Sequence, residues 1–128
     1  MRLLLDTHIF LWFITGDSRL RDGIRDSIRD AQNEVYLSVV SIWEAIIKRR
    51  IGKLPLPTSP EVYLPEQRQR HLISSLPLDE MSVAHLVNLP MIHNDPFDRI
   101  LICQAVKHDL TIVTSDEAIC SYTVDVMR

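Results

Sequence analysis

The chain has 128 residues, a formal net charge of −3 at pH 7 and 46% hydrophobic residues. This size and composition predict a single globular domain over residues 1–128 with a full hydrophobic core, and they exclude a disordered chain. The acidic balance excludes a protein that binds duplex DNA through an overall positive field. A nucleic acid would need a local basic patch, and the candidates are KRRIGK at 48–53 and RQRH at 68–71, although such charge runs more often form an ordinary solvated face.

Nothing in the sequence predicts a membrane segment or a zinc site. The longest apolar run, at residues 3–14, is interrupted by Asp6 and His8. It is shorter than the roughly 18 residues that cross a bilayer, and no signal-peptide cleavage site follows it. Cys103 and Cys120 lack metal-ligand spacing. We therefore expect a cytoplasmic protein with two reduced, partly buried thiols.

Hydrophobic patterning alternates between strand-like and helix-like segments along the chain. Strands are predicted at residues 2–6, 35–38, 73–78, 110–114 and 123–127, the last at a sheet edge. Helices are predicted at residues 7–14, 19–30, 41–51, 59–70, 79–89, 96–108 and, as a short turn, 116–122. Gly52 is expected to close the third helix, and Pro65 to kink or split the fourth. This alternation predicts an α/β fold with a mostly parallel central sheet covered by helices on both faces.

Four carboxylates stand where a predicted strand gives way to a helix: Asp6, Glu44, Asp98 and Asp116. Ligands of an open parallel α/β sheet bind at the carboxyl ends of its strands, so we expect these side chains to converge there. Converging carboxylates repel one another unless a cation neutralises them. Oxygen ligands of this kind suit Mg²⁺ or Mn²⁺. The sequence therefore predicts a divalent metal site.

Each of these acids also has a purely structural explanation. Asp6 and Asp116 lie where a helix begins and are suited to capping it. Ser41 and Glu44 have the spacing of a capping box, and Asp98 follows an Asp-Pro pair as a first-turn acid. Taken one at a time, capping is the more frequent role of such residues.

The predicted orientation of Glu44 and Asp98 favours the metal site for the set. Both face inward on their predicted helices, because their neighbours at helical spacing are apolar. These neighbours are Val40, Ile47 and Ile51 for Glu44, and Ile102 and Ala105 for Asp98. A buried carboxylate must find a partner, since burying it bare is expensive.

The chain resembles the PIN-domain family, in particular the VapC-like toxins of bacterial toxin–antitoxin pairs. The resemblance rests on four segments in order: LLLDTHIFLW at 3–12, SVVSIWEAIIKRRIGKL at 38–54, HNDPFDRILICQA at 93–105 and LTIVTSD at 110–116. It implies a PIN-like three-layer α/β/α sandwich that acts as a metal-dependent endoribonuclease. The family's acidic quartet then falls on Asp6, Glu44, Asp98 and Asp116, as catalytic residues and ligands of Mg²⁺ or Mn²⁺.

Several further residues are candidates for supporting roles. Within HNDPFDR, Asp98 is preferred to Asp95 as the ligand because it directly precedes the apolar helix face. Asp95 is then expected to cap the helix or to reach a second metal ion through water. Thr114 and Arg99 are candidates for contacts to the substrate or to the ligands. For His8, a structural role is favoured over a role as ligand.

The resemblance also implies partners, namely an RNA substrate, a cognate antitoxin protein and a second copy of the chain in a homodimer. Trp12, Phe13, Ile51 and Leu54 are candidate interface residues, although core packing is the more frequent role of any one of them. A phosphatase of the haloacid-dehalogenase type is disfavoured, because it needs a second Asp two residues after the strand-end Asp, where this chain has His8. A non-catalytic PIN-like binding module remains the alternative.

Overall fold

A computed structural model describes residues 1–128, and its centre is a single five-stranded sheet. The strands are β1 (Arg2–Leu5), β2 (Glu34–Ser38), β3 (Ser74–Leu76), β4 (Thr111–Val113) and β5 (Val126–Met127). They are ordered β3-β2-β1-β4-β5, and every neighbouring pair is parallel. The predicted α/β class is confirmed, with a sheet that is parallel throughout.

Helices cover both faces of the sheet. They are α1 (Thr7–Thr15), α2 (Asp22–Arg29), α3 (Val39–Arg50), α4 (Pro60–Arg70), α5 (Glu80–Ala84), α6 (Pro96–Lys107) and α7 (Glu117–Cys120), with a 3₁₀ helix at His85–Asn88. Leu3 and Leu5 of β1 point into one buried cluster with residues of α1 and α2, whereas Leu4 points into a second cluster with residues of α6. Side chains alternate across a strand, so two cores on opposite faces make three layers.

The start of α3 differs from the prediction. Ser38, the last residue of β2, caps the helix by accepting a hydrogen bond from the backbone N–H of Val40 at 3.0 Å. The helix therefore begins at Val39, and Ser41 lies inside it as a buried residue. The predicted capping box between Ser41 and Glu44 is wrong, which leaves the Glu44 carboxylate available for other partners.

Other local expectations have mixed outcomes. Gly52 follows α3 with φ of 76° and donates its N–H to the carbonyl of Arg49, as expected of a helix-closing glycine. Pro65 does not split α4, which runs unbroken through it. A proline removes only one backbone donor, and the adjacent Leu64 is buried in the core and keeps that turn docked. The second half of the helix predicted at 79–89 is 3₁₀.

The exposed apolar residues also differ in part from expectation. Phe13 belongs to the core, and Trp12 and Leu54 pack against that core as partly buried residues. Ile51 is exposed, so it stays available for an interface. Both cysteines are free thiols, as predicted. No helix of the fold has both the length and the apolar character required to span a membrane.

Candidate active site

The four predicted acids gather at the carboxyl ends of β1 and β4, which are neighbours in the sheet. Asp6 directly follows β1, and Asp116 lies three residues after the end of β4. Asp98 is in the first turn of α6, and Glu44 is in the middle of α3. Charges of Asp6 and Glu44 both act on the Asp98 carboxyl. The predicted convergence is therefore present in the fold.

Asp6 has one buried oxygen without any partner. Asp6 is 4% exposed. Its Oδ2 atom accepts a hydrogen bond of 2.8 Å from the Thr114 hydroxyl, whereas its Oδ1 atom is buried and unpaired. Burial raises the pKa of Asp6, and the charge of Glu44 adds to this effect, although the Thr114 hydrogen bond and the charge of His8 oppose it. An unpaired buried carboxylate oxygen is unfavourable, so this atom fits the role of a ligand to a cation.

Asp98 is also buried and lies close to other carboxylates. It is 8% exposed. Burial and the charges of Asp6, Asp95 and Glu44 raise the pKa of its carboxyl to about 7. Acids that crowd one another in this way favour a shared positive charge, which a divalent cation provides.

His93 joins two of the acids and was not singled out from the sequence. Its Nε2 lies 2.9 Å from Oδ2 of Asp98 and 3.0 Å from Oδ2 of Asp116. These three ligand atoms lie within 4.8 Å of one another, close enough to hold one metal ion. The backbone N–H of Asp95 donates to Nδ1 of His93 at 3.2 Å, which places the ring proton on Nε2. In this tautomer His93 donates to the two carboxylates and orients them, and Nε2 could bind a metal ion only after losing its proton.

Glu44 has found its partners inside the protein. It is 1% exposed; Oε1 accepts a hydrogen bond of 2.8 Å from the Thr7 hydroxyl, and Oε2 accepts one from Lys48. Burial disfavours the charged form of Lys48, but the hydrogen bond and charge of Glu44, with the charges of Asp95 and Asp98, raise its pKa overall. The prediction that Glu44 points inward is correct. The argument for that prediction, that the helical neighbours of Glu44 are apolar and buried, is only partly correct, because Ile47 and Ile51 are exposed.

Capping and site roles coexist in this cluster. Asp95 caps α6 by accepting from the backbone N–H of Phe97 at 2.8 Å. Asp116 caps α7 with Oδ1, which accepts from Ala118 at 2.9 Å, and so keeps Oδ2 for His93. Asp6 occupies the cap position of α1 without making a side-chain cap bond.

The supporting candidates fall in different places. Thr114 bridges Asp6 and the backbone N–H of Asp116, which donates to the Thr114 hydroxyl at 3.0 Å. His8 is exposed beside Trp12 rather than packed in the core, so the structural role favoured for it is not supported by its burial.

Arg99 acts on the loop that carries His93. It is buried, and Nη1 donates to the carbonyl of Pro90 at 2.8 Å and to the hydroxyl of Tyr122 at 3.3 Å. That hydroxyl also accepts the backbone N–H groups of Ile92 and His93, at 3.1 and 2.8 Å. Of the two roles predicted for Arg99, the geometry favours support of the site over contact with substrate.

The chain belongs to the PIN domain family, whose model matches residues 3–124. A curated relative, Ribonuclease VapC16 of Mycobacterium tuberculosis, is 38% identical over 61 residues. That match covers 48% of this chain and 43% of the relative, which is less than half of either protein.

Solved structures share the whole fold at low sequence identity. VapBC2 from Rickettsia felis, bound to a DNA fragment from its promoter, superposes with a TM-score of 0.73 at 12% identity, covering 99% of this chain and 98% of that one. DNA-bound VapBC from Salmonella typhimurium has a TM-score of 0.68 at 16% identity, covering 99% of this chain and 97% of that one. FitAcB from Neisseria gonorrhoeae has a TM-score of 0.63 at 22% identity, covering 98% of this chain and 96% of that one. These likenesses confirm the PIN-like architecture.

Proposed function

We propose that this protein is a metal-dependent endoribonuclease that acts as the toxin of a toxin–antitoxin pair. The observation that carries the proposal is the buried, unpaired Oδ1 of Asp6, in a chain of the PIN domain family whose fold also brings Asp98 and Asp116 to this edge of the sheet. A hard cation satisfies that oxygen and relieves the crowding that raises the pKa of Asp98.

Within this proposal, each acid has a distinct task. Asp6, Asp98 and Asp116 supply oxygen ligands to Mg²⁺ or Mn²⁺, and Glu44 completes the quartet from α3. A bound divalent ion lowers the pKa of water and orients the scissile phosphate. His93 holds Asp98 and Asp116 in register, and Thr114 fixes Asp6. Ligands held by neighbouring residues keep their geometry when substrate arrives.

The substrate class and the partners follow from what the relatives are. The name of the Mycobacterium tuberculosis relative is that of a ribonuclease, which supports RNA as the substrate. Several structural neighbours are VapBC proteins, and one from Klebsiella pneumoniae is a toxin–antitoxin complex, which supports a cognate antitoxin. An arginine of that antitoxin would pair with the carboxylates and inhibit them. A homodimer and a cytoplasmic location complete the proposal.

The exposed cations Arg49 and Arg50 support the proposal that the end of α3 contacts the RNA backbone. They lie in the same helix as Glu44, two turns or less beyond it. Phosphate contacts of this kind position the nucleic acid and carry no sequence information. Lys48, the first cation of this segment, instead turns to Glu44.

The test is RNA cleavage by the purified chain, free of antitoxin, with Mg²⁺ or Mn²⁺ and with EDTA. Asp6→Asn removes the proposed ligand at constant size, and Asp26→Asn, at an exposed acid of α2, is the matched control. We expect metal-dependent cutting in the wild type and in Asp26→Asn, and none in Asp6→Asn. Cutting that survives Asp6→Asn contradicts the site. A folded protein that binds the antitoxin and no metal would instead be a non-catalytic binding module.

A further inference from the structure

Lys48 is the one lysine or arginine that the fold ties directly to the acidic quartet. It lies one turn after Glu44 on α3, and its ammonium contacts Oε2 of that residue. The charges of Asp95 and Asp98 also act on it. The Lys48 side chain keeps 29% of its surface exposed, whereas the side chain of Glu44 keeps 2%. The ammonium therefore contacts a buried carboxylate and belongs to a side chain that is partly open to solvent.

Both carboxylate oxygens of Glu44 already have a partner in this arrangement. Thr7 occupies Oε1, and Lys48 occupies Oε2. The contrast with Asp6 is direct, because Asp6 keeps a buried oxygen without a partner. The Asp6 side of the quartet therefore lacks a positive charge, whereas the Glu44 side already has the Lys48 ammonium.

An ammonium at this position can do what a second metal ion does in two-metal nucleases. The second ion stabilises the charge of the transferred phosphate and of the leaving oxygen. A fixed ammonium supplies positive charge to the same kind of anion without being recruited from solution. An ammonium has three donors, and Glu44 engages Lys48 through one oxygen, so donors remain for a phosphate.

We propose that Lys48 is the second cation of this site. The chain then binds one divalent ion, at Asp6, Asp98 and Asp116, while the Lys48 ammonium, held by Glu44, contacts the scissile phosphate. This inference rests on the proposed nuclease function and deepens it. Glu44 becomes the residue that positions Lys48, and Lys48 becomes a catalytic residue.

The decisive measurement is the number of Mn²⁺ ions bound per chain, by calorimetric titration and by electron paramagnetic resonance of free Mn²⁺. We expect one ion in the wild type and two in Lys48→Met, which frees Oε2 of Glu44. Lys48→Arg keeps the cation and should bind one ion. The pair Glu44→Gln with Lys48→Met lacks the freed carboxylate and should also bind one. Lys107→Met, at an exposed cation at the end of α6, is the control.

Cleavage of RNA is the second readout. Lys48→Met should lower kcat on the order of 100-fold when one ion is bound, the usual loss on removing one fixed donor to a developing anion. Higher Mn²⁺ should restore part of that rate as the second ion binds, whereas Lys107→Met should match the wild type throughout.

The possible results separate this inference from the proposed function. No ion in the wild type contradicts the metal site itself, and with it the inference. Two ions in the wild type, or one ion in folded Lys48→Met with an unchanged kcat, overturn the role of Lys48 and leave the nuclease intact. Where Lys48→Met does not fold, the kcat of the charge-neutral double variant decides the question, because that variant lacks the ammonium and has no freed carboxylate to recruit a second ion. An unchanged kcat in the folded double variant overturns the role of Lys48.

Discussion

The Thr114 hydroxyl donates a 2.8 Å hydrogen bond to Oδ2 of Asp6, and thereby joins the residue after β4 to the residue after β1. The same hydroxyl oxygen accepts the backbone N–H of Asp116 at 3.0 Å. Thr114 is 1% exposed, so water cannot replace either bond. One side chain therefore fixes the relative position of two proposed metal ligands.

Replacing Thr114 by Val should weaken the site while the fold persists. The variant is nearly isosteric but removes the donor to Asp6 and the acceptor for Asp116. We expect Mn²⁺ affinity and RNA cleavage to fall by roughly 10- to 100-fold, the usual effect of losing a residue that orients a ligand. Titration calorimetry and cleavage assays measure both. Thr114→Ser should recover most of the loss, and Thr111→Val, at the start of β4, should have little effect. Equal losses in both Val variants would contradict this role.

Replacing Asp98 by Asn should stabilise the metal-free protein. The raised pKa of about 7 means that the ionised form of Asp98 is unfavourable in the fold. A neutral amide of the same size removes that repulsion, and we expect the free energy of unfolding to rise by about 1–3 kcal/mol at pH 8. The gain should disappear in Mn²⁺, which stabilises only the wild type. Denaturant unfolding with and without the ion tests this, and a variant less stable than the wild type without metal would refute it.

The stability of the metal-free protein should depend on pH through the same group. The folded pKa of Asp98, about 7, lies above its ordinary value of 3.8. Between these values the folded state holds more protons than the unfolded state. The contribution of Asp98 is therefore full below about pH 4 and is lost as pH rises through about 7. Asp6, whose pKa burial also raises, acts in the same direction.

The difference between wild type and Asp98→Asn cancels the titration of groups away from the site, including His71, whose pKa burial lowers. It retains His93, whose pKa is raised against the effect of burial by its hydrogen bond to Asp116 and by the charge of Asp98. That difference should grow from pH 4 to pH 7 in EDTA and level off above. A difference that is constant across this range would mean that Asp98 is not the group responsible.

Much of the fold was predictable because its central strands, β1 and β4, are short, apolar and largely buried. Leu3, Leu4 and Leu5 of β1 have no exposed surface. A central parallel strand is buried on both faces, which explains the continuous apolar run in the sequence. The acids that end such strands must meet at one edge of the sheet, which is why Asp6 and Asp116 could be paired in advance.

His93 could not be found in the same way. Its partner Asp116 is 23 residues away, and the two meet because α6 packs against β4, which brings the residues before the helix to the end of the strand. No motif marks one histidine among five, although its place two residues before the capping Asp95 is a local signal. The contact between Lys48 and Glu44 was easier to predict, because the two residues have the i,i+4 spacing of a helical ion pair. In the sequence, however, Lys48 is predicted only as part of the candidate basic patch KRRIGK at 48–53.

The loop that carries His93 should depend on the hydroxyl of Tyr122. That oxygen accepts the backbone N–H groups of Ile92 and His93 and a hydrogen bond from Arg99. Tyr122→Phe leaves these donors without their acceptor in a site where Tyr122 is 5% exposed. We expect a loss of about 1–3 kcal/mol in the free energy of unfolding, because buried unpaired donors are costly. Since His93 then orients Asp98 and Asp116 less well, Mn²⁺ affinity should fall as well. Tyr63→Phe, whose ring packs against the core on α4, is the matched control and should bind Mn²⁺ normally. A Tyr122→Phe variant that loses stability but keeps full Mn²⁺ affinity would show that the tyrosine supports the loop without setting the geometry of the site.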